Sequence, residues 1–151
     1  MKYLGHVINK NGRQPDPERV TAIKKLPVPS NVKEIECFLG KANYYGQFIK
    51  DLATLSAPLN HLRRKNVEWK WSKDCQDAFD KIKEELCKET LLVQFDPKKE
   101  LFLATDASQY GISAILLHKD TDGNEKPIAH ASKTLNSAEE KEYSQIEKEA
   151  L

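Results

Sequence analysis

Asp106 closes the alternating run Leu101-Phe102-Leu103-Ala104-Thr105, and forty-three residues later Glu149 sits on a newly begun helix close to the last residue, Leu151. A carboxylate at the end of a central strand, facing another on the first helix that follows, gathers oxygen ligands for paired divalent cations. Hydrolysis of a phosphodiester is the chemistry such a pair could support. A neighbouring acid, Glu147, has a different explanation. Ser144-x-x-Glu147 is a capping box, in which the serine caps the helix and the glutamate reaches back to it. Glu149 lies about 200° further round at 100° per residue, free to face a sheet. Taken as isolated residues, both Asp106 and Glu149 fit better as solvated or capping acids.

The elements that must position them are legible from periodicity. Leu101 to Asp106 and Ile112 to His118 alternate with period two, Gly111 marks the turn between them, and Asp122-Gly123-Asn124 leads to a third strand at Ile128 to Ser132. Ahead of them, Ser72 caps a predicted helix whose Cys75, Ala78, Phe79, Ile82 and Leu86 form one apolar stripe. Gln94 to Lys99, around Asp96-Pro97, reads as a linker.

The first half is helical by the same reasoning. Residues 3 to 8 predict a strand and Asn11-Gly12 a hairpin turn. Asp16 and Pro17 open a helix with Val20, Ile23 and Leu26 inward, which Pro27 and Pro29 end. Ser30 begins the next, a six-turn helix burying Ile35, Leu39, Ala42, Tyr45, Ile49 and Leu52. Its opposite face carries Lys33, Glu36, Gly40, Tyr44 and Gln47. Gly40 costs roughly 1 kcal/mol relative to alanine inside a helix, which calls for close approach either by another helix or by something outside such as nucleic acid. A further helix begins at Ser56, with Leu55, Leu59 and Leu62 inward and Arg63-Arg64-Lys65 near its end. Trp69 and Trp71 project to one side of an extended segment and read as core or hinge packing, with base stacking as the alternative.

The net charge of +1 hides an asymmetry: residues 1 to 70 hold 13 Lys and Arg against 6 Asp and Glu, whereas residues 71 to 151 hold 11 against 17. A basic half suits a polyanion and an acidic half suits cations. Cys37, Cys75 and Cys87 lack zinc-site spacing, as do His118 and His130, so the cysteines read as reduced thiols. No membrane-length apolar run or secretory leader is evident, and an intracellular setting is expected.

The stretch Thr105-Asp106-Ala107-Ser108, then Gly111, then Tyr143-Ser144 before Glu147-Lys148-Glu149-Ala150-Leu151 resembles the ribonuclease H domain of reverse transcriptases from gypsy-like long-terminal-repeat retrotransposons. Tyr3-Leu4-Gly5-His6 is similar to the primer grip at the edge of the polymerase palm. Phe38-Leu39-Gly40, Asn43-Tyr44-Tyr45 and Phe48-Ile49 are similar to the thumb helix, with Gly46 where that family often has a basic residue. Ser113 replaces a common family glycine.

The resemblance implies an α+β chain: a helical thumb followed by the opening three antiparallel strands and first helix of an RNase H-like fold, truncated. Its divisions would be a palm-edge hairpin at 1–13, the thumb at 14–66, a connecting helix and linker at 67–98, and the N-terminal half of the RNase H-like domain at 99–151. It implies Asp106 and Glu149 as catalytic ligands of two Mg²⁺ ions, with Mn²⁺ as a substitute. Tyr3, Leu4, Gly5, His6, Lys33, Gly40, Tyr44 and Gln47 would contact template-primer duplex or RNA/DNA hybrid. The remaining partners would be the rest of a Pol polyprotein, with palm and fingers upstream and the remaining RNase H residues and integrase downstream. The setting would be cytoplasm, a retrotransposon particle or the nucleus; the oligomeric state stays open. With the family's later aspartates beyond Leu151, this segment alone is expected not to cut hybrid. The alternatives are a non-catalytic RNase H-like connection module and a domesticated nucleic-acid-binding fragment.

Overall fold

The computed structural model describes residues 1–88, 90–136 and 139. It is an α+β arrangement in which two three-stranded antiparallel sheets flank a helical core. The first sheet is small: β1 (Lys2–Tyr3), β2 (His6–Asn9) and β3 (Gly12–Pro15). Five helices follow, α1 (Pro17–Lys24), α2 (Val32–Tyr44), α3 (Leu52–Leu55), α4 (Ala57–His61) and α5 (Lys73–Cys87). The second sheet comprises β4 (Leu101–Ala107), β5 (Gly111–Lys119) and β6 (Glu125–Thr134), in the order β4-β5-β6. None of the described helices is long and apolar enough to cross a membrane.

Capping chemistry sets the helix starts. Asp16 accepts from Glu18 N at 3.1 Å with Pro17 as first helical residue, and the Ser72 hydroxyl accepts from Cys75 N at 3.3 Å. α2 begins one residue later than expected. Asn31 caps it, accepting from Glu34 N at 3.0 Å, while the Glu34 carboxylate takes up Ser30 N at 2.7 Å. Those bonds hold the Glu34 carboxyl below its usual range, the Ser30 backbone contact contributing most.

Two expected elements are interrupted. The strand expected over residues 3 to 8 breaks at Leu4-Gly5, where φ is 45° and 76°, so the chain turns and makes three strands instead of a single hairpin. The six-turn helix stops at Tyr44; a 3-10 turn (Gly46–Phe48) and a left-handed Asp51 redirect the chain into α3. Gly46 supplies the weak point. Phe48 and Ile49 are both buried beyond the break. All six expected apolar positions are nevertheless buried, because the redirected chain returns Ile49 and Leu52 to the same core. Ser56 heads α4 without a side-chain cap, its hydroxyl donating back to Ala53 O.

The core joins α1, α2 and α5 and includes all five residues of the α5 stripe, with Trp69 and Trp71 packed against it. Lys83 of α5 donates to the last carbonyl of α1, Lys24 O at 3.1 Å, and to Leu26 O just beyond the helix at 2.6 Å, while its ammonium lies 4.1 Å from the Phe79 ring centroid.

The segment after α5 is more than a spacer. Leu92 is fully buried and exchanges backbone bonds with Arg13 at 2.8 and 2.9 Å, and Val93 N donates to Pro127 O. A Cβ at Gly12 would come within 2.1 Å of Leu92 O, so glycine is required there. Further on, the buried His118 accepts from Asp96 N at 3.0 Å and its other ring nitrogen lies 2.8 Å from Glu100 O. That histidine ties the expected linker to β5, using both ring nitrogens on backbone groups.

β6 packs against the 3-10 turn, with His130 at the junction and its Nδ1 buried without a partner among the described residues. Burial, aided by the Lys50 charge and opposed by Asp51, lowers its pKa below the usual 6.5. An unfolded chain takes up a proton near pH 6.5 that the folded junction resists, so stability is full above that range and declines as pH falls through it. Urea titrations at about pH 7.5 and about pH 5.5 should show a lower midpoint in acid, and His130→Gln should reduce the difference.

Candidate nucleic-acid interface and carboxylate

The Leu4-Gly5 turn is held from a distance. Tyr44 donates its hydroxyl to Leu4 O, and Tyr45 donates to Gly5 O at 3.0 Å, which also accepts from Asp16 N at 2.9 Å. Tyr45 is buried; its hydroxyl pKa is raised, by burial first and then by Tyr44, which keeps it a donor. Beneath the turn, the His6 ring centroid lies 5.5 to 5.6 Å from those of Tyr44, Tyr45 and Phe48. His6 therefore supports the turn from below rather than reaching outward. Tyr3 is 59% and Leu4 68% exposed, so this end of the small sheet projects into solvent.

Between the turn, α1 and α2 runs a groove of about 720 Å³, to which Leu4, Gly5, Gly40 and Tyr44 contribute together with Arg19 and Lys41. A Cβ at Gly40 would meet nothing within 4 Å, so packing against another part of the described chain does not explain this glycine. Of the expected contact residues, Lys33 is exposed nearer the start of α2 and Gln47 is half-buried in the 3-10 turn; neither lines the groove, nor do Tyr3 and His6. Arg19 and Lys41 escaped the sequence reading. Lys41 adjoins Gly40, but only the placement of α1 alongside α2 in the fold adds Arg19 to the same surface.

Asp106 lies on β4, exposed, with one carboxylate oxygen accepting from Ala107 N at 2.9 Å. It pairs with Ser113, which pairs with Ser132, so the three share a face. Ser132 accepts from Ala53 N at 3.1 Å, which turns that face toward α3. β4 is the outer strand of the sheet that the described residues form. Just beyond it the Ser108 and Thr54 hydroxyls meet at 2.7 Å, and Gly111 fits against Ala53, where a Cβ would come within 2.9 Å of the alanine Cβ.

Asp106 presents a hard oxygen donor of the kind Mg²⁺ takes. No group of three or more His, Cys, Asp or Glu side chains placed to hold a metal occurs among the described residues. Glu149, with the expected cap Ser144 and Glu147, lies outside the described residues.

The sequence model for the RNase H-like domain found in reverse transcriptase matches residues 71–151. The chain belongs to this family. It is 36% identical over 162 residues to the retrovirus-related Pol polyprotein from transposon opus of Drosophila melanogaster, covering all of this chain and 16% of that protein. It is 34% identical over 151 residues to the transposon Tf2-3 polyprotein of Schizosaccharomyces pombe (strain 972 / ATCC 24843), again over the whole chain and 11% of the relative. The chain thus spans a small part of the polyproteins it matches. Among solved structures it is similar to the foamy viral protease-reverse transcriptase in complex with RNA/DNA hybrid, with a TM-score of 0.77 and 25% identity over 99% of this chain and 20% of that one. The same viral protein in complex with dsDNA gives a TM-score of 0.77 over 98% of this chain and 31% of that one.

The RNase H-like match begins at Trp71, so the groove lies in the part of the chain that precedes it. The structural likeness, covering nearly the whole chain, includes that part.

The turn offers a direct test of its own geometry. At Gly5 an added Cβ would sit 2.8 Å from the Tyr45 hydroxyl, and the positive φ is strained for any other residue. Tyr45→Phe should cost about 0.5–1.5 kcal/mol in urea unfolding, the value of one hydrogen bond. Gly5→Ala should cost less in the Tyr45→Phe background than alone, because the clash disappears and only the φ strain remains. A double-mutant cycle should give a coupling of at least about 0.5 kcal/mol, and additive costs would separate the two groups.

Proposed function

We propose that this chain forms the palm edge, thumb, connecting helix and N-terminal half of the RNase H-like domain in the Pol polyprotein of a gypsy-like long-terminal-repeat retrotransposon. In this reading the helical half grips template-primer duplex and RNA/DNA hybrid, and the sheet contributes to hydrolysis of the RNA strand. The observation that carries it is the groove over Gly40: residues some forty apart in sequence meet on one open surface with two cations beside an exposed tyrosine. A glycine there lets a groove edge of a duplex approach the helix, Tyr44 can lie against sugars or bases, and Arg19 and Lys41 can face phosphates. Opus and the Tf2 elements carry the corresponding segment within Pol polyproteins, and the solved foamy viral relative is in complex with RNA/DNA hybrid, which supports this substrate class.

Asp106 and Glu149 would hold the metal, their carboxylates supplying two of the oxygen ligands. When bound, paired Mg²⁺ ions activate water and stabilise the leaving oxygen. What the chain itself does is hold Asp106 at the end of β4, one oxygen fixed by the Ala107 amide, and brace that end through Ser108 and Thr54. The rest of the polyprotein would provide the remaining acids, and a cytoplasmic, particle or nuclear setting is in keeping with that substrate.

The test separates grip from cleavage. Gly40→Leu should keep or slightly raise the melting temperature, since the site is open and leucine favours helix by about 1 kcal/mol over glycine. Its affinity for an RNA/DNA hybrid should fall; an unchanged affinity removes the groove from the binding surface. In a longer protein carrying the whole RNase H-like domain, Asp106→Asn and Glu149→Gln should each abolish hybrid cleavage while Glu147→Gln leaves most of it. Binding without metal-dependent cleavage in that longer protein would instead favour the non-catalytic connection module.

A further inference from the structure

Among the described residues that line the groove over Gly40, Glu36 is the one acid. Glu36, Gly40 and Tyr44 follow one another at four-residue spacing along the α2 ridge, about 6 Å apart on the helix axis, so the three stand in a single row. The helical wheel put Glu36 on this face without giving it a task. Arg19 and Lys41, in the same lining, suit phosphates; a carboxylate repels them.

The Glu36 side chain is half exposed, yet it is held in place. Arg63, which follows α4, brings its Nε to 3.7 Å from the Glu36 carboxylate, and Arg63 is itself fixed: its Nη1 donates to the Asn60 side chain at 3.0 Å, while Asn60 donates to the Ser56 hydroxyl at 3.1 Å. At 3.7 Å the contact is an ion pair too long for a hydrogen bond, so the carboxylate oxygens keep their capacity to accept one. Exposed pairs of this kind add little to stability, and this one orients the acid more than it holds the fold.

A duplex edge seated over Gly40 reaches Glu36 one helical turn away. An acceptor-only group at that place requires a donor, and a phosphodiester has none. The minor-groove edge of an A-like duplex offers two, the ribose 2′-hydroxyl and the guanine amine. The hydroxyl recurs at every nucleotide of an RNA strand, so any register of the duplex presents one. The amine recurs only at guanines.

We infer that Glu36 discriminates between strands: its carboxylate, steadied by Arg63, accepts a hydrogen bond from a ribose 2′-hydroxyl of the RNA strand. The inference rests on the nucleic-acid reading above and sharpens it, because it makes the grip selective for duplexes that contain RNA. Arg19 and Lys41 supply attraction for any backbone, and Glu36 reads the sugar.

The experiment compares the affinity of the full 151-residue chain for an RNA/DNA hybrid with its affinity for the same hybrid made from 2′-fluoro RNA, which keeps the A-like shape and lacks the hydroxyl donor. Wild type should bind the natural hybrid about tenfold more tightly, the factor for one hydrogen bond to a charged group. Glu36→Ala should bind the two alike. Glu36→Gln keeps an accepting oxygen at the same place and should retain part of the preference, which loss of a negative charge alone would not produce. Equal binding of the two hybrids by wild type, or a preference that survives Glu36→Ala, overturns the assignment and leaves duplex binding standing. The wild-type comparison decides this even where a variant folds poorly. Replacing guanine by hypoxanthine removes the amine; if that weakens wild type while 2′-fluoro RNA binds as well as natural RNA, the amine is the partner and the 2′-hydroxyl assignment falls. If neither hybrid binds, the nucleic-acid reading falls and this assignment falls with it.

Discussion

Two consecutive tyrosine hydroxyls at the end of α2 hold two consecutive carbonyls of the Leu4-Gly5 turn, and the geometry of the helical half depends on that latch. Leucine at a φ of 45° is an unfavourable conformation that persists only where surroundings fix it. Here the fixing groups are forty residues distant in sequence. Asp16 N, much nearer in sequence, also donates to Gly5 O, so the same carbonyl that receives Tyr45 also anchors the entrance to α1. The latch thereby sets the spacing between the turn, α1 and α2, which is the width of the groove over Gly40. Aromatic stacking around His6 fills the space underneath and leaves the turn little freedom to sink.

The second constraint is the way the β4–β6 sheet is joined to the helices. Gly111 admits Ala53 at close range, Ser132 receives the Ala53 amide, and Thr54 meets Ser108. These contacts are small and polar, unlike the apolar packing of α2 on α5. On the other side, Leu92 bridges the first sheet to the second through Arg13 and Val93. Backbone bonds of this kind need exact approach more than large area, which explains why Gly12 and Gly111 occupy places where a methyl group would collide.

Much of this was legible in the sequence where local chemistry dominates. Asp16-Pro17 and Ser72 mark helix starts through capping, the α5 stripe follows from a single buried face, and the three strands follow from their period-two alternation. What was hidden depended on distant partners. Residues 3 to 8 alternate well enough for a strand, and nothing local reveals that tyrosine hydroxyls at 44 and 45 stabilise a left-handed turn there. The apolar spacing from Ile35 to Leu52 survives a break in the helix because burial constrains where side chains end, not the path between them. Leu92 sits outside the periodic segments and His118 at the end of one, so their roles as tethers emerge only when the two sheets are in place. For the site, Gly40 and Tyr44 were legible from a helical wheel, whereas the addition of Arg19 required the packing of α1, and the support role of His6 required the ring cluster.

The strand end that carries Asp106 is not mechanically independent of the helical half. Asp106 shares a face with Ser113 and Ser132, and Ser132 is bonded to α3, while two residues beyond Asp106 the Ser108 hydroxyl meets Thr54 of the same helix. α3 in turn follows directly from the 3-10 turn that ends the α2 ridge. A shift of α2 would therefore be transmitted through α3 to both serines, and the carboxylate would move with the ridge. Polar contacts suit this junction better than a deep apolar one, because each hydroxyl or amide fixes an orientation at a cost of about 1 kcal/mol if broken. The arrangement keeps the distance from the ridge to the carboxylate constant through a handful of directional bonds. Under the function proposed above, a duplex gripped along α2 and cut at the sheet, that distance is the quantity the fold would have to preserve.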